Sequence, residues 1–511
     1  MSANDKKFLI IYPNFPTSRV INQEYSDPLG PLHLCTYLQS KGIKCLFLNC
    51  VLEPDWTEFL NKNLDEVGLV GFSAMTDQLP ATLKIAQFIK EKYPKMPIII
   101  GQVHATLLPE QCLKSELFDF ALTGGRGELS VEKLINCLFH QKGRLEDIPN
   151  LVYKNDGGEI IFSSAPAETF DFEAMPPIDY SFLGESTNRN LSRYMVGVLS
   201  SRGCPYGCAF CINSVIPENR KWQAWSAERT IREVKNLIGK GVTKIIFWDD
   251  SFFVNLERVK KLLDLIEREN LHFQWFANIR ADQLKENYVS WELLQRLEKN
   301  GLTWISIGAE SGSQKMLDLM NKGIKVEDLI NAAKIIGQTK IICTFSFMIG
   351  LPGENREDMK ATLSVMQKIQ EFCPRAKFAG PQLFRPYPGS KFYEMCLDSG
   401  WRPPQTLTEW AEKIESGTME TDPFFMPWVK DKDFTRTAWF YSIFLALPLP
   451  KLISHFRNFC RNNKKSLIFL IIGTFGVIFI TLLGRLRLLL NFHKFHYEIS
   501  FLKKYRAALS A

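Results

Sequence analysis

Twice along its length the chain alternates short, uniformly apolar runs with stretches of helical period, and that recurrence restricts its fold more than any other feature. The first series comprises "KFLIIYP", "CLFLNC", "VGLVGFS", "PIIIGQ" and "FDFALTGG", with helices expected over about 32–41 and 81–93. Strands apolar on both faces and separated by helices pair in parallel and are covered on both sides. Residues 1–145 are therefore expected to form a doubly wound α/β domain with a parallel sheet. Such sheets bind ligands beyond the carboxyl ends of their strands. The sequence places Ser73 and Thr76 there, then Gly101 and His104, then Gly124, Gly125 and Gly127 of "TGGRGE". The glycines either admit a large ligand close to the backbone or make tight strand-to-helix turns.

Residues 146–192 carry turn-rich segments such as "DGGE" and "MPPIDY" without sustained period, and are read as a linker with a small hairpin. A second series follows over 193–400: "YMVGVLSS", "KIIFWDD", "FQWFANIR", "WISIGAES", "CTFSFMIGLPGE" and "FAGPQLFRPYPGS". Helices are expected between them, among others over 227–240 and 256–269. Six parallel units predict a partial (βα)6 barrel whose chemistry sits at the C-terminal rim of the strands.

Directly after the first of these strands, "SSRGCPYGCAFCINS" places Cys204, Cys208 and Cys211 within eight positions. With 12 cysteines in 511 residues, this spacing arises by accident in well under about 1 case in 100. Three thiolates offer either part of a zinc site or three corners of an iron–sulfur cube. Zinc usually completes four protein ligands, and the next histidine is the distant His272. A 4Fe-4S cluster on three cysteines keeps one iron open to a ligand.

"CPYGCAFC", with the aromatic Phe210 before its last cysteine, resembles the cluster loop of radical S-adenosylmethionine enzymes. The resemblance covers roughly residues 195–392. It implies a 4Fe-4S cluster on Cys204, Cys208 and Cys211, whose open iron chelates S-adenosylmethionine, and a low-potential donor such as flavodoxin or ferredoxin. It implies further that Asp249 and Asp250 of "FWDDSFF" face the cofactor's amino group, that Glu310 and Ser311 of "GAESGS" lie near its ribose, and that backbone around Ile349 and Gly350 of "FMIGLPGE" meets its adenine. Taken singly, the aspartates and Ser311 also suit helix caps and "LPGE" suits a plain turn.

The segment ahead of this core resembles the cobalamin-binding domain of the anaerobic magnesium-protoporphyrin monomethyl ester cyclase family and of radical methylases of lipids. The shared features are "GFSAMT", "GQVHAT" and "TGGRGE". The D-x-H-x-x-G motif that supplies an axial histidine in many cobalamin proteins is absent, and Gly101-Gln102 replaces the more usual glycine pair. Cobalamin is accordingly expected without an imidazole ligand, His104 being either a neighbour of the corrin or a hydrogen-bonded turn histidine. The resemblance implies an enzyme, with methylation of an unactivated carbon expected and a cyclase or oxidoreductase reaction as the alternative. A membrane-anchored cobalamin or iron–sulfur sensor is the non-enzymatic alternative.

Composition adds a location. Of the net charge of +7, residues 451–511 carry +10, leaving −3 for the rest. This excludes a general nucleic-acid surface and points to a local anionic contact. Within the tail, "SLIFLIIGTFGVIFITLLG" (466–484) is uncharged and flanked by Lys464, Lys465, Arg485 and Arg487. Positive charge on both flanks fits a helix lying in the interface, or a re-entrant pair with "AWFYSIFLALPLP", better than a span. A buried helix of a soluble protein is the plain alternative. Residues 401–437 are read as an extension and 438–511 as a membrane-associated tail, with a hydrophobic or lipid-like substrate. The cysteines outside the loop suit reduced thiols, no secretory leader is seen, and the expected location is the cytoplasmic face of a membrane.

Overall fold

A computed structural model describes residues 6–15, 28–53, 55–168, 170–184, 190–416, 425–462, 467–491 and 493–494. Strands β1 (Lys7–Tyr12), β2 (Cys45–Asn49), β3 (Val67–Ser73), β4 (Ile98–Gly101) and β5 (Phe120–Leu122) lie in the order β2-β1-β3-β4-β5. All are parallel, and the order reverses beside β1 as a doubly wound sheet requires. Helices Leu29–Ser40 and Leu79–Lys92 cover the sheet where the apolar runs demand it. The expected hairpin is present as β6 (Leu151–Lys154) and β7 (Ile160–Phe162). It continues this sheet, pairing antiparallel on β5. The turn-rich segment thus gives the first half its last two strands.

The short strands β9 (Ser201–Arg202) and β10 (Gln223–Ala224) bracket the cysteine loop as an antiparallel pair. The six barrel strands are β8 (Val196–Val198), β11 (Lys244–Phe247), β12 (Gln274–Ile279), β13 (Leu302–Glu310), β14 (Ile342–Ile349) and β15 (Lys377–Leu383). They form one parallel sheet in sequence order. Burial alternates along β12, β13 and β14. Trp275, Ile305, Ile307, Phe345 and Phe347 are buried on the helix side. Asn278, Trp304, Ser306 and Ser346, at positions of the other parity, are only partly buried and turn to the lumen. Near its base the lumen is aromatic, Phe276 and Trp304 meeting edge to face at 5.9 Å, with the Trp304 indole N–H donating to Thr344 Oγ1 at 2.8 Å.

The C-terminal segments fold back on both halves. The Leu407–Glu415 helix returns to the first half, where the Trp410 indole donates to Gln111 Oε1 at 3.0 Å. The Lys432–Ala446 helix packs on the barrel helix Arg356–Phe372, and the Leu467–Leu489 helix packs on Lys432–Ala446 in turn. Tyr441 lies so close to Gly484 that a Cβ there would be 2.5 Å from its ring. Among the described residues no helix is long and apolar enough to cross a membrane. Phe475, Phe479, Leu482, Leu486 and Leu489 stand exposed on the outer face of the last helix, with Leu490 just past its end, so it is only partly covered by protein. Lys464, Lys465 and Ser466 lie outside the described residues.

Candidate active site

Two cavities meet where the halves join. The barrel cavity, about 830 Å³ of open space including the part continuous with solvent, is lined by Cys204, Cys208, Phe210 and Cys211 on one side and by Asp250, Asn278, Arg280, Glu310 and Lys322 on the other. All three thiols therefore line one cavity. Their loop is held by backbone: Cys204 N donates to Asn219 O at 2.7 Å, Ala209 N to Met320 O at 2.8 Å, and Asn321 Nδ2 to Gly207 O at 2.8 Å. Gly203 opens the loop at a φ of 82°, and a Cβ there would sit 2.7 Å from Asn219 O. Burial raises the Cys204 thiol and pushes Cys211 up to about 11. Such thiols ionise when a metal displaces their protons. Among the described residues no group of three or more His, Cys, Asp or Glu side chains stands placed to hold a metal ion. Three thiols lining one cavity are the donor set that three corners of an iron–sulfur cluster need.

Across the cavity Glu310 takes a φ of 62°, a left-handed conformation that costs roughly 1–2 kcal/mol. It is held there by Lys322, whose Nζ lies 2.9 Å from Glu310 Oε1 with both side chains nearly buried. Burial depresses the Lys322 ammonium, but Glu310 and Cys208 outweigh it, so the net shift is upward and the charge persists. Gly308 leaves room for this pair, since a Cβ there would run into Glu310. Arg280 donates to Lys322 O at 2.8 Å, and its guanidinium stacks 3.9 Å from the centroid of Tyr206. Sequence reasoning missed Asn278, Arg280 and Lys322.

Asp249 and Asp250 part company. Asp249 does not line the cavity: its carboxylate accepts from Ser200 N, Ser200 Oγ and Ser201 Oγ at 2.6–2.7 Å and is fully buried. It fastens β8 to β11. Asp250 lines the cavity, where partial desolvation raises its pKa against the opposing effect of the nearby Asn213 side chain and Gly203 N–H. Ser311, Ile349 and Gly350 also lie outside the lining. The Ser311 hydroxyl is buried 3.2 Å from Thr362 Oγ1. Ile349 O accepts from Phe384 N, Gly350 N donates to Glu354 Oε2 at 2.6 Å, and Gly350 O accepts from the Trp428 indole at 2.8 Å. These residues brace the rim.

The second cavity, about 1240 Å³ counted in the same way, lies over the strand ends of the first sheet. Ser73, Gly101, Gly124, Gly125 and Gly127 line it, with apolar Leu34, Leu122 and Ile216. At Gly101 a Cβ would find nothing nearer than 3.9 Å, so the space above it is free for a ligand. Thr76 and His104 do not line this cavity. They pair with each other, Thr76 Oγ1 to His104 Nδ1 at 3.2 Å, and the imidazole packs edge-on against Trp410. Burial lowers His104 to about 4, which keeps it neutral. Its hydrogen bond runs to a side chain, and not to backbone as a turn histidine's would. The wall facing the barrel carries Glu128 and Arg202, which join the halves at 2.7 Å with 6% and 13% of their side chains exposed. Asp250 lines both cavities.

Residues 198–366 match the radical SAM superfamily, and residues 23–135 match the B12 binding domain. The chain belongs to the cobalamin-binding radical S-adenosylmethionine enzymes. Its cofactors are accordingly a 4Fe-4S cluster, S-adenosylmethionine and cobalamin. An uncharacterized methyltransferase of Pyrococcus horikoshii is 28% identical over 348 residues, covering 66% of this chain and 72% of that one. The anaerobic magnesium-protoporphyrin IX monomethyl ester cyclase of Rubrivivax gelatinosus is 22% identical over 89% of this chain and 78% of its own. The hopanoid C-3 methylase of Methylococcus capsulatus is 23% identical over 71% and 68%. The fold is shared with the radical S-adenosylmethionine methyltransferase TsrM from Kitasatospora setae with cobalamin and a 4Fe-4S cluster bound, at a TM-score of 0.61, 17% identity, and coverage of 78% of this chain and 75% of that one.

Proposed function

We propose that the chain methylates an unactivated carbon of a hydrophobic, lipid-like molecule, with the substrate placed between the two cavities. The observation that carries this reading is the shared wall at Asp250, which lets one substrate carbon face both cofactors in turn. When bound, the cluster with S-adenosylmethionine supplies a carbon radical and cobalamin a transferable methyl group. The chain's own residues hold and enclose them. Cys204, Cys208 and Cys211 anchor the cluster, Asp250 and Glu310 meet the polar groups of S-adenosylmethionine, and Lys322 keeps Glu310 in place. Gly101 leaves room for the corrin, and Gly124, Gly125 and Gly127 bring backbone to the same cavity. The apolar Leu34, Leu122 and Ile216 on the wall of the first-half cavity suit an apolar substrate between the two cofactors.

The exposed stripe from Phe475 to Leu490 supports this reading from outside. Five large apolar side chains on one helix face, with Leu490 just past its end, within a tail of net +10, fit an interfacial helix resting on anionic lipid. The stripe ends beside the rim of the barrel: the neighbouring Asn491 accepts from Arg356, which opens the helix after β14. An apolar substrate taken from a bilayer would thus arrive near the mouth. Sedimentation with vesicles tests the contact, binding being expected to anionic and not to neutral vesicles and to weaken in high salt.

Under anaerobic reduction, methyl transfer yields S-adenosylhomocysteine together with 5′-deoxyadenosine. Appearance of 5′-deoxyadenosine alone would favour the cyclase or oxidoreductase reading, which the long match to the Rubrivivax gelatinosus cyclase keeps in view. A flavodoxin or ferredoxin is the electron donor this chemistry calls for.

A further inference from the structure

One side chain crosses the wall between the cavities. Asn219 follows the cysteine loop in sequence and packs against the glycine-rich loop of the first half, where a Cβ on Gly125 would overlap its Oδ1. Its carbonyl accepts from Cys204 N at 2.7 Å, and its Nδ2 donates to Asn213 Oδ1 at 3.0 Å. Asn213 in turn stands near the Asp250 carboxylate on the wall of the barrel cavity and opposes the rise in its pKa. Gly125 and Asn219 line the first-half cavity, Cys204 and Asn213 line the barrel cavity, and Asp250 lines both. A continuous path of contacts therefore runs from the floor expected to carry cobalamin, through one amide, to the first cluster ligand and to the carboxylate expected to meet S-adenosylmethionine.

We propose that Asn219 is a positioning residue that registers the cysteine loop on the Gly125 loop and, through Asn213, sets Asp250, so that binding at one cavity is felt at the other. The proposal rests on the assignment of cobalamin and S-adenosylmethionine to these cavities. Gly125 then has two roles, as backbone lining the corrin's cavity and as the seat of Asn219. Because Asn213 and Asn219 are held by each other, a ligand that presses on the Gly125 loop bears on the Asp250 carboxylate through them as well as at the shared wall. Coupling of this kind is reciprocal between the two ligands.

The test uses the full chain with its cluster rebuilt anaerobically. S-adenosylmethionine affinity and the cluster's electron paramagnetic resonance spectrum are read with and without cobalamin. In the wild type, cobalamin should tighten S-adenosylmethionine severalfold. Asn219→Ala keeps the backbone carbonyl, so iron and cobalamin content should hold. Its affinity for S-adenosylmethionine should fall roughly tenfold, the scale of losing one hydrogen bond that orients a charge, and the effect of cobalamin should vanish. Asn213→Ala should repeat this from the other side of the path. Gly125→Ala should also uncouple the cavities, and Gly125→Ala with Asn219→Ala should be no worse in S-adenosylmethionine affinity than Asn219→Ala alone, because both act on one contact. Wild-type affinity and coupling in Asn219→Ala, or losses that add in the double variant, would overturn the proposal. So would loss of iron from Asn219→Ala while Asn213→Ala behaves as wild type. A wild-type chain that binds neither cofactor would instead overturn the assignment of the cavities.

Discussion

The barrel cavity is walled mainly by polar and charged side chains, whereas its neighbour combines a glycine-rich floor with apolar side chains. Three thiols, the Glu310–Lys322 pair, Arg280 and Asp250 crowd the first. Gly71, Gly101, Gly124, Gly125 and Gly127 floor the second, with apolar surface between them. Charged groups crowded together need partners: Lys322 answers Glu310, and Arg280 pairs with Asp282 and donates to Lys322 O. A broad ligand held against backbone needs little of this. The two halves thus fail in different ways when altered, and each alteration separates them.

The largest effect is expected in the barrel. Cys204→Ala, Cys208→Ala or Cys211→Ala should each abolish iron binding and cleavage of S-adenosylmethionine while cobalamin still binds, as measured by iron content and product analysis. Next is Gly101→Leu, whose side chain enters free space and so should fold normally. It should lose cobalamin and keep its iron, which absorption spectra and metal analysis would show.

The seam between the halves comes third. Breaking a buried ion pair by removing one partner costs about 3–5 kcal/mol, against about 0–1 kcal/mol for an exposed pair such as Lys260–Glu257. Arg202→Met should therefore lower stability in urea far more than Lys260→Met. Arg202→Met with Glu128→Leu should recover part of the loss, because no unpaired charge stays buried.

The smallest effects are in pH dependence, and they run in opposite directions. In the barrel half, burial raises Glu354 to about 8 from 4.5. Its contribution is fully present below about pH 4.5 and is lost as pH rises through 8. In the first half, burial lowers His104 to about 4 from 6.5. Its contribution is present above pH 6.5 and is lost as pH falls through 4. Melting curves of Glu354→Gln should flatten the alkaline limb relative to wild type, and those of His104→Asn the acid limb.

Both sheets are legible in the sequence because their apolar runs leave few alternatives, and the cysteine loop is legible because its spacing is rare. Strand parity settles which aspartate faces the lumen: Asp250 shares its face with Trp248, and Asp249 shares the buried face with Phe247. The same parity would have found Asn278 and Arg280, polar residues ending the otherwise apolar strand "FQWFANIR". Lys322 had no such signal. It arrives from the turn after the Gln314–Leu319 helix, and only the folded chain brings it to Glu310. His104 and Thr76 look like ligand contacts because each follows a strand end by three residues. In fact the returning Trp410, hundreds of residues away, covers the imidazole.

Cluster and cobalamin bound in adjoining cavities divided by Asp250, as proposed above, would bring their spins close together. Pulsed electron paramagnetic resonance of the full chain tests it directly, with the reduced cluster and cob(II)alamin as the two spins. The account predicts a dipolar interaction between them that disappears in Gly101→Leu. Two independent spectra from a chain loaded with both cofactors would contradict it.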